Sequence, residues 1–153
     1  SPPNEPTPTS SSDPGSVPLS VACDSLISAQ AMYDFNPNFS LLPTFTPGAG
    51  SLAEKAVAAD GTACRWVNLT SEEPIDVSIA LLRSHSLDAV LAAASTGTRI
   101  NDVADEAYFA LIDGVGTVQA FRASYWVTIS SVYFGTDEDG IPLLIEALTA
   151  TTG

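Results

Sequence analysis

The segment GTDEDGIPLLIE places Asp137, Asp139, Gly140 and Glu146 at the third, fifth, sixth and twelfth positions of a calcium-loop register. Carboxylates so spaced could offer hard oxygen ligands to a divalent cation. The register lacks its first ligand, because Gly135 stands where an aspartate is required. Pro142 and the apolar run behind it also fit a helix start, where acidic residues would favour the helix dipole. Asp137, Asp139 and Glu146 are therefore a fragmentary calcium candidate, and no other metal is expected.

His85, in Ser84-His85-Ser86-Leu87-Asp88, has hydroxyls and a carboxylate beside it in sequence. A catalytic triad is assembled in space, and side chains adjacent along the chain rarely converge. No GxSxG elbow occurs, so His85 reads as a surface residue at a helix entry and no catalytic residue is assigned. Glu72 and Glu73 read as a solvated turn. Asp102, Asp105 and Glu106 could supply oxygens, but a chain this acidic scatters such clusters, and spacing alone identifies no glycosidase pair. Gly114-Val115-Gly116 lacks the third glycine and following helix of a dinucleotide loop, so it is a turn and no cofactor is expected.

Cys23 and Cys64 are the only cysteines, and neither lies in a CxxC or near the single histidine, which argues against zinc. In an extracytoplasmic chain they read as a disulfide closing a loop of about 40 residues, and in a cytosolic chain as buried reduced thiols. The acidic, lysine-poor composition and the N-terminal segment favour the bridge.

The elements that must position these residues follow from periodicity. CDSLISAQAMYDF puts Leu26, Ala29 and Tyr33 on one helical stripe. An irregular stretch punctuated by Pro37 and Pro43 carries Phe35, Phe39, Leu41, Leu42 and Phe45, enough apolar surface to lie against a core. Ser51-Leu52-Ala53-Glu54 has capping-box form and opens a short helix ending at Asp60-Gly61. From Ala63 the period changes to two, giving strands through Cys64–Leu69 and Ile75–Leu81 joined by a Thr70–Pro74 turn. Ser86 is the expected N-cap of a helix that lines up Leu87, Val90, Leu91 and Ala94 before Gly97.

Glu106–Ile112, Thr117–Arg122 and Tyr125–Phe134 are rich in β-branched and aromatic residues, and Asp113-Gly114 between the first two is a hairpin signal. A three-stranded meander is favoured over one long bent strand across Ala123-Ser124. A terminal helix follows Asp137-Glu138-Asp139. The fold class expected is α+β, an antiparallel sheet of about five strands with helices packed mainly on one face. The aromatics Trp66, Tyr108, Phe109, Phe121, Tyr125, Trp126, Tyr133 and Phe134 concentrate on that sheet. They fill the core and cross-strand pairs, or leave an aromatic binding surface on the uncovered face.

The chain of 153 residues carries 18 acidic against 5 basic side chains, a net charge of −13. So few cations cannot neutralise a phosphate backbone, which excludes nucleic acid as a partner and argues against docking on anionic lipid. No stretch approaches the roughly 18–20 apolar residues of a membrane span. Residues 1–20, SPPNEPTPTSSSDPGSVPLS, read as a disordered Pro/Ser/Thr-rich tether, and residues 21–153 as a single globular domain. At about 3.1 Å per residue an extended tether of this kind would reach roughly 60 Å.

The Pro/Ser/Thr tether, Cys23 at the first helix, Cys64-Arg65-Trp66 opening a hairpin, and Tyr125-Trp126-Val127-Thr128-Ile129 before a terminal helix together resemble small secreted lipoproteins of actinobacterial cell envelopes. The resemblance implies a lipid-bearing cysteine just before Ser1, a Cys23–Cys64 disulfide, and a location outside the membrane, anchored to its outer face. It carries over no catalytic residue. The leading expectation is a noncatalytic head that binds an envelope protein, a glycan or a small ligand. The alternatives are a cell-wall-directed hydrolase or metal-assisted enzyme, and a sensor or accessory subunit of an envelope complex. A cleft gathering His85 or several carboxylates with hydroxyls would favour an enzyme, and a flat aromatic sheet face would favour binding.

Overall fold

The computed structural model describes residues 16–151. In chain order the elements are β1 (Ser16–Val17), α1 (Cys23–Leu26), α2 (Ala29–Phe35), β2 (Phe39–Leu41), α3 (Leu52–Ala58), β3 (Thr62–Asn68), β4 (Pro74–Leu82), α4 (Ser84–Ala94), β5 (Thr98–Arg99), β6 (Glu106–Ile112), β7 (Val115–Arg122), β8 (Tyr125–Ser131) and α5 (Ile141–Leu148). Seven strands form one antiparallel sheet in the order β2-β3-β4-β8-β7-β6-β5. The two residues of β1 pair with Leu81 and Leu82 at the end of β4.

The five long strands are β3, β4, β6, β7 and β8, the ones whose alternation is visible in the sequence. β2 and β5, of three and two residues, are too short to show a period. Asp113 (φ 54°) and Gly114 (φ 81°) turn β6 into β7 as the Asp-Gly pair predicts, and Ala123-Ser124 turns β7 into β8. The meander is therefore real. Residues 1–15 of the expected tether lie outside the described residues. Residues 16–17, placed in the tether by composition, belong to the sheet, and the Leu19 N–H donates to the Asp60 carbonyl at 2.8 Å.

The first expected helix is two. Ser28 interrupts it, its Oγ accepting from the Ala31 N–H at 3.0 Å as the N-cap of α2. The break turns Leu26, Ile27 and Met32 inward and leaves Tyr33 63% exposed, contrary to the expected stripe. The N-cap of α4 is Arg83, in extended backbone and three residues ahead of the expected Ser86, so that the helix begins at Ser84.

Helices cover both faces, which corrects the expectation of one covered face. Alternate residues of a strand point to opposite sides. Val77, Ile79, Val118, Ala120, Val127 and Ile129 meet Leu26, Met32, Leu143, Leu144 and Leu148 of α1, α2 and α5. On the other face Ala80, Leu82, Tyr108, Phe121 and Trp126 meet Ala56 of α3 and Ala94 of α4, with Leu87, Val90 and Leu91 packed alongside. Each large aliphatic side chain so buried contributes about 1.5–3 kcal/mol. The aromatics of the second face are thus roofed: Phe121 is 3% exposed and Trp126 1%. No flat aromatic surface exists there.

Cys23 and Cys64 form a disulfide that ties α1 to β3 across the first core, with Cα atoms 5.8 Å apart. At the far end of that core the Arg122 guanidinium donates to the Leu148 carbonyl and Thr151 hydroxyl, each at 3.4 Å, where the dipole of α5 is negative. Among the described residues no helix is long and apolar enough to cross a membrane.

Candidate functional site

The roof over the second face is incomplete. α3 and α4 cover the row Ala80–Trp126–Phe121, in which residues stand opposite one another across β4, β8 and β7. The next two rows are polar. Ala63, Ser78, Thr128, Gln119 and Tyr108 are in register across β3, β4, β8, β7 and β6. Beyond them run Arg65, Asp76, Ser130, Thr117 and Ala110 on the same five strands. From these rows Thr128, Gln119, Asp76, Ser130, Thr117 and Ala110 floor a trough of about 360 Å³, lined also by Gly50, Ser51, Leu52, Ala53 and Ile112.

Local bonds hold the wall and floor in place. Ser51 Oγ caps α3 by accepting from the Glu54 N–H at 3.1 Å. Glu54 Oε1 accepts from the Gly50 N–H at 2.7 Å, so the capping box closes one residue further back than the motif expects. On the floor the hydroxyls of Ser78 and Thr128, both buried, bond each other. The Trp126 indole N–H donates to Gln119 Oε1 at 3.0 Å. An indole nitrogen only donates, so this bond fixes which amide atom is oxygen and leaves the Gln119 NH2 for another partner.

Asp76 is the one carboxylate lining the trough. Arg65 Nε donates to its Oδ1 at 2.6 Å and Arg65 Nη2 to its Oδ2 at 2.9 Å, while the guanidinium carbon lies 4.4 Å from the centre of the Phe45 ring. The hydrogen bond to Asp76 raises the Arg65 pKa further above its ordinary value, against the opposing effect of burial. The charges at this end of the trough therefore cancel. In contrast, the Thr117 and Ser130 hydroxyls and the Gln119 amide nitrogen make no hydrogen bond to any described residue.

The side chains singled out by sequence lie elsewhere. His85 is exposed in the first turn of α4, away from the trough. Glu72 and Glu73 are exposed in the β3–β4 turn. Asp105 Oδ2 accepts from the Ala123 N–H at 2.8 Å, and Glu106 Oε1 from the Tyr108 hydroxyl at 2.6 Å. Asp139 Oδ2 folds back to accept from the N–H groups of Gly135 and Thr136, at 2.8 and 3.0 Å. Glu146 sits on α5, where its Oε2 accepts from the Ser28 N–H at 3.4 Å. Among the described residues no three His, Cys, Asp or Glu side chains are grouped to hold a metal ion.

A second cleft, about 410 Å³, separates α2 from α5 and is lined by Ala31, Asp34, Phe35, Pro142, Leu143 and Glu146. Its carboxylates are engaged locally, Asp34 with the Gln30 amide and Glu146 with the Ser28 N–H. The trough offers more unpartnered polar groups, all on β7 and β8 inside the sheet.

Sequence reasoning missed Asp76, Thr117, Gln119, Thr128 and Ser130 because polar residues at alternate strand positions read as ordinary solvated ones. The available signal was that β4, β7 and β8, the central strands, all turn polar at the same register level. No protein-family model, curated protein or solved structure matches this chain.

Proposed function

We propose that this chain is a noncatalytic, extracytoplasmic binding domain, the head of a membrane-tethered envelope lipoprotein, and that the trough is its ligand site. The observation that carries this reading is that Thr117, Ser130 and the Gln119 amide nitrogen line the trough without a hydrogen-bond partner among the described residues. Half-buried hydroxyl and amide groups gathered in a cleft bond water when it is empty and can exchange that water for the polar atoms of a ligand. The site has no nucleophile–base pair, since its single carboxylate is gripped at both oxygens by Arg65. The Cys23–Cys64 bridge supports an oxidising compartment, and the Pro/Ser/Thr-rich N-terminal segment supports a head held away from its anchor.

Free-thiol titration with intact mass, on protein isolated from its own host under native and denaturing conditions, tests the location. The reading expects no thiols under either condition and a lipid increment at the N-terminus. Two titratable thiols on unfolding and no increment would overturn it.

A further inference from the structure

Resting on the binding-domain reading, we infer that the trough takes an uncharged saccharide. Three features select this class. The first is charge: Asp76 and Arg65 neutralise one another, and a chain of net charge −13 repels anions, so neither a phosphate nor a carboxylate ligand finds a counter-charge. A cationic ligand meets in Asp76 a carboxylate whose charge Arg65 already neutralises through a bond to each oxygen.

The second is hydrogen-bond type. Thr117 and Ser130 each offer a hydroxyl that both donates and accepts, and Gln119 adds amide donors held in place by Trp126. Sugar hydroxyls also donate and accept, so they can match such a set without leaving a group unpaired.

The third is shape. Ile112, 66% exposed on the rim, together with Ala110 and Leu52, gives an aliphatic wall for the C–H face of a sugar ring. The volume of about 360 Å³ lies at the small end of ligand pockets, of room for one or two rings. A peptide adding as a strand is excluded, because β4, β8 and β7 each have neighbours on both sides and offer no free backbone edge.

The test is a titration followed by amide NMR shifts, using maltose, cellobiose, trehalose and diacetylchitobiose, with phosphate, spermidine and tetra-alanine as probes of other classes. At least one saccharide should shift the amides of Ala110, Ile112, Thr117, Gln119 and Ser130. The double variant Thr117→Val/Ser130→Ala should weaken binding by about tenfold or more, and Thr117→Ser should restore its share. Saccharide shifts that the double variant leaves intact overturn the assignment of the site. Shifts at the trough from phosphate, spermidine or tetra-alanine, with none from any saccharide, overturn the saccharide but leave a binding trough standing. No shift at the trough from any probe overturns the saccharide and removes the support for the binding reading as well.

Discussion

Arg65 and Asp76 stand directly opposite each other on β3 and β4 and join through two parallel bonds of 2.6 and 2.9 Å at the end of the trough. Removing Arg65 leaves the Asp76 charge, which lines the trough, without its counter-charge. Both side chains are partly exposed, so solvent screens the pair, and Arg65→Ala should cost only about 1 kcal/mol. Urea unfolding of both single variants and the double variant measures the coupling. Because the bond raises the Arg65 pKa, its contribution is complete from neutral pH up to the ordinary arginine value and on the alkaline side is lost as pH rises through the raised one. A coupling that fades between neutral pH and mildly alkaline pH would contradict this.

Tyr108 donates to Glu106 at 2.6 Å, and that hydrogen bond, helped by burial, raises the phenol above its ordinary pKa. The stability this adds is present below the ordinary tyrosine value and is lost as pH climbs through the raised one. An ultraviolet titration, with Tyr108→Phe subtracted to isolate the group, should show late ionisation. Glu106→Gln should bring it earlier; an unmoved titration would mean that the carboxylate is not the cause.

The disulfide closes a loop with a sequence separation of 41. Chain-entropy arithmetic for a loop of that size gives about 4 kcal/mol. A domain of ordinary stability, roughly 5–15 kcal/mol, would lose much of its margin. Cys23→Ser/Cys64→Ser should lower the urea midpoint accordingly, and a loss below about 1 kcal/mol would show that the bridge constrains little.

Gly116 and Gly114 lie two residues apart and should respond differently to alanine. A Cβ on Gly116 would sit 1.8 Å from the Phe134 carbonyl oxygen, a backbone atom that cannot step aside cheaply. Gly116→Ala should therefore cost about 3 kcal/mol or prevent folding. Gly114 has open space but φ +81°, so Gly114→Ala should cost only about 1 kcal/mol. Equal thermal shifts for the two variants would contradict the close approach.

What the sequence made legible were features written in local patterns. The five long strands, the Asp113-Gly114 turn, the Ser51 cap and the Leu87–Ala94 face all follow from periods and turn chemistry. What it hid depends on distant partners. Ser28 splits the first helix because its hydroxyl finds the Ala31 N–H, a competition that a continuous apolar period conceals. The second helical layer was hidden because Leu82, Phe121 and Trp126 read equally well as exposed or covered until α3 and α4 are placed over them. The trough was hidden for a related reason. Asp76, Ser130 and Thr117 lie more than 10 residues apart in sequence and become neighbours only through strand register.

The most direct test of the account is a crystal structure of the domain grown with the saccharide that gives the largest NMR shifts. The account predicts a sugar ring over the second sheet face, bonded to Thr117, Ser130 and the Gln119 amide nitrogen with its C–H face on Ile112. An empty trough, or a sugar seated instead between α2 and α5, would contradict it.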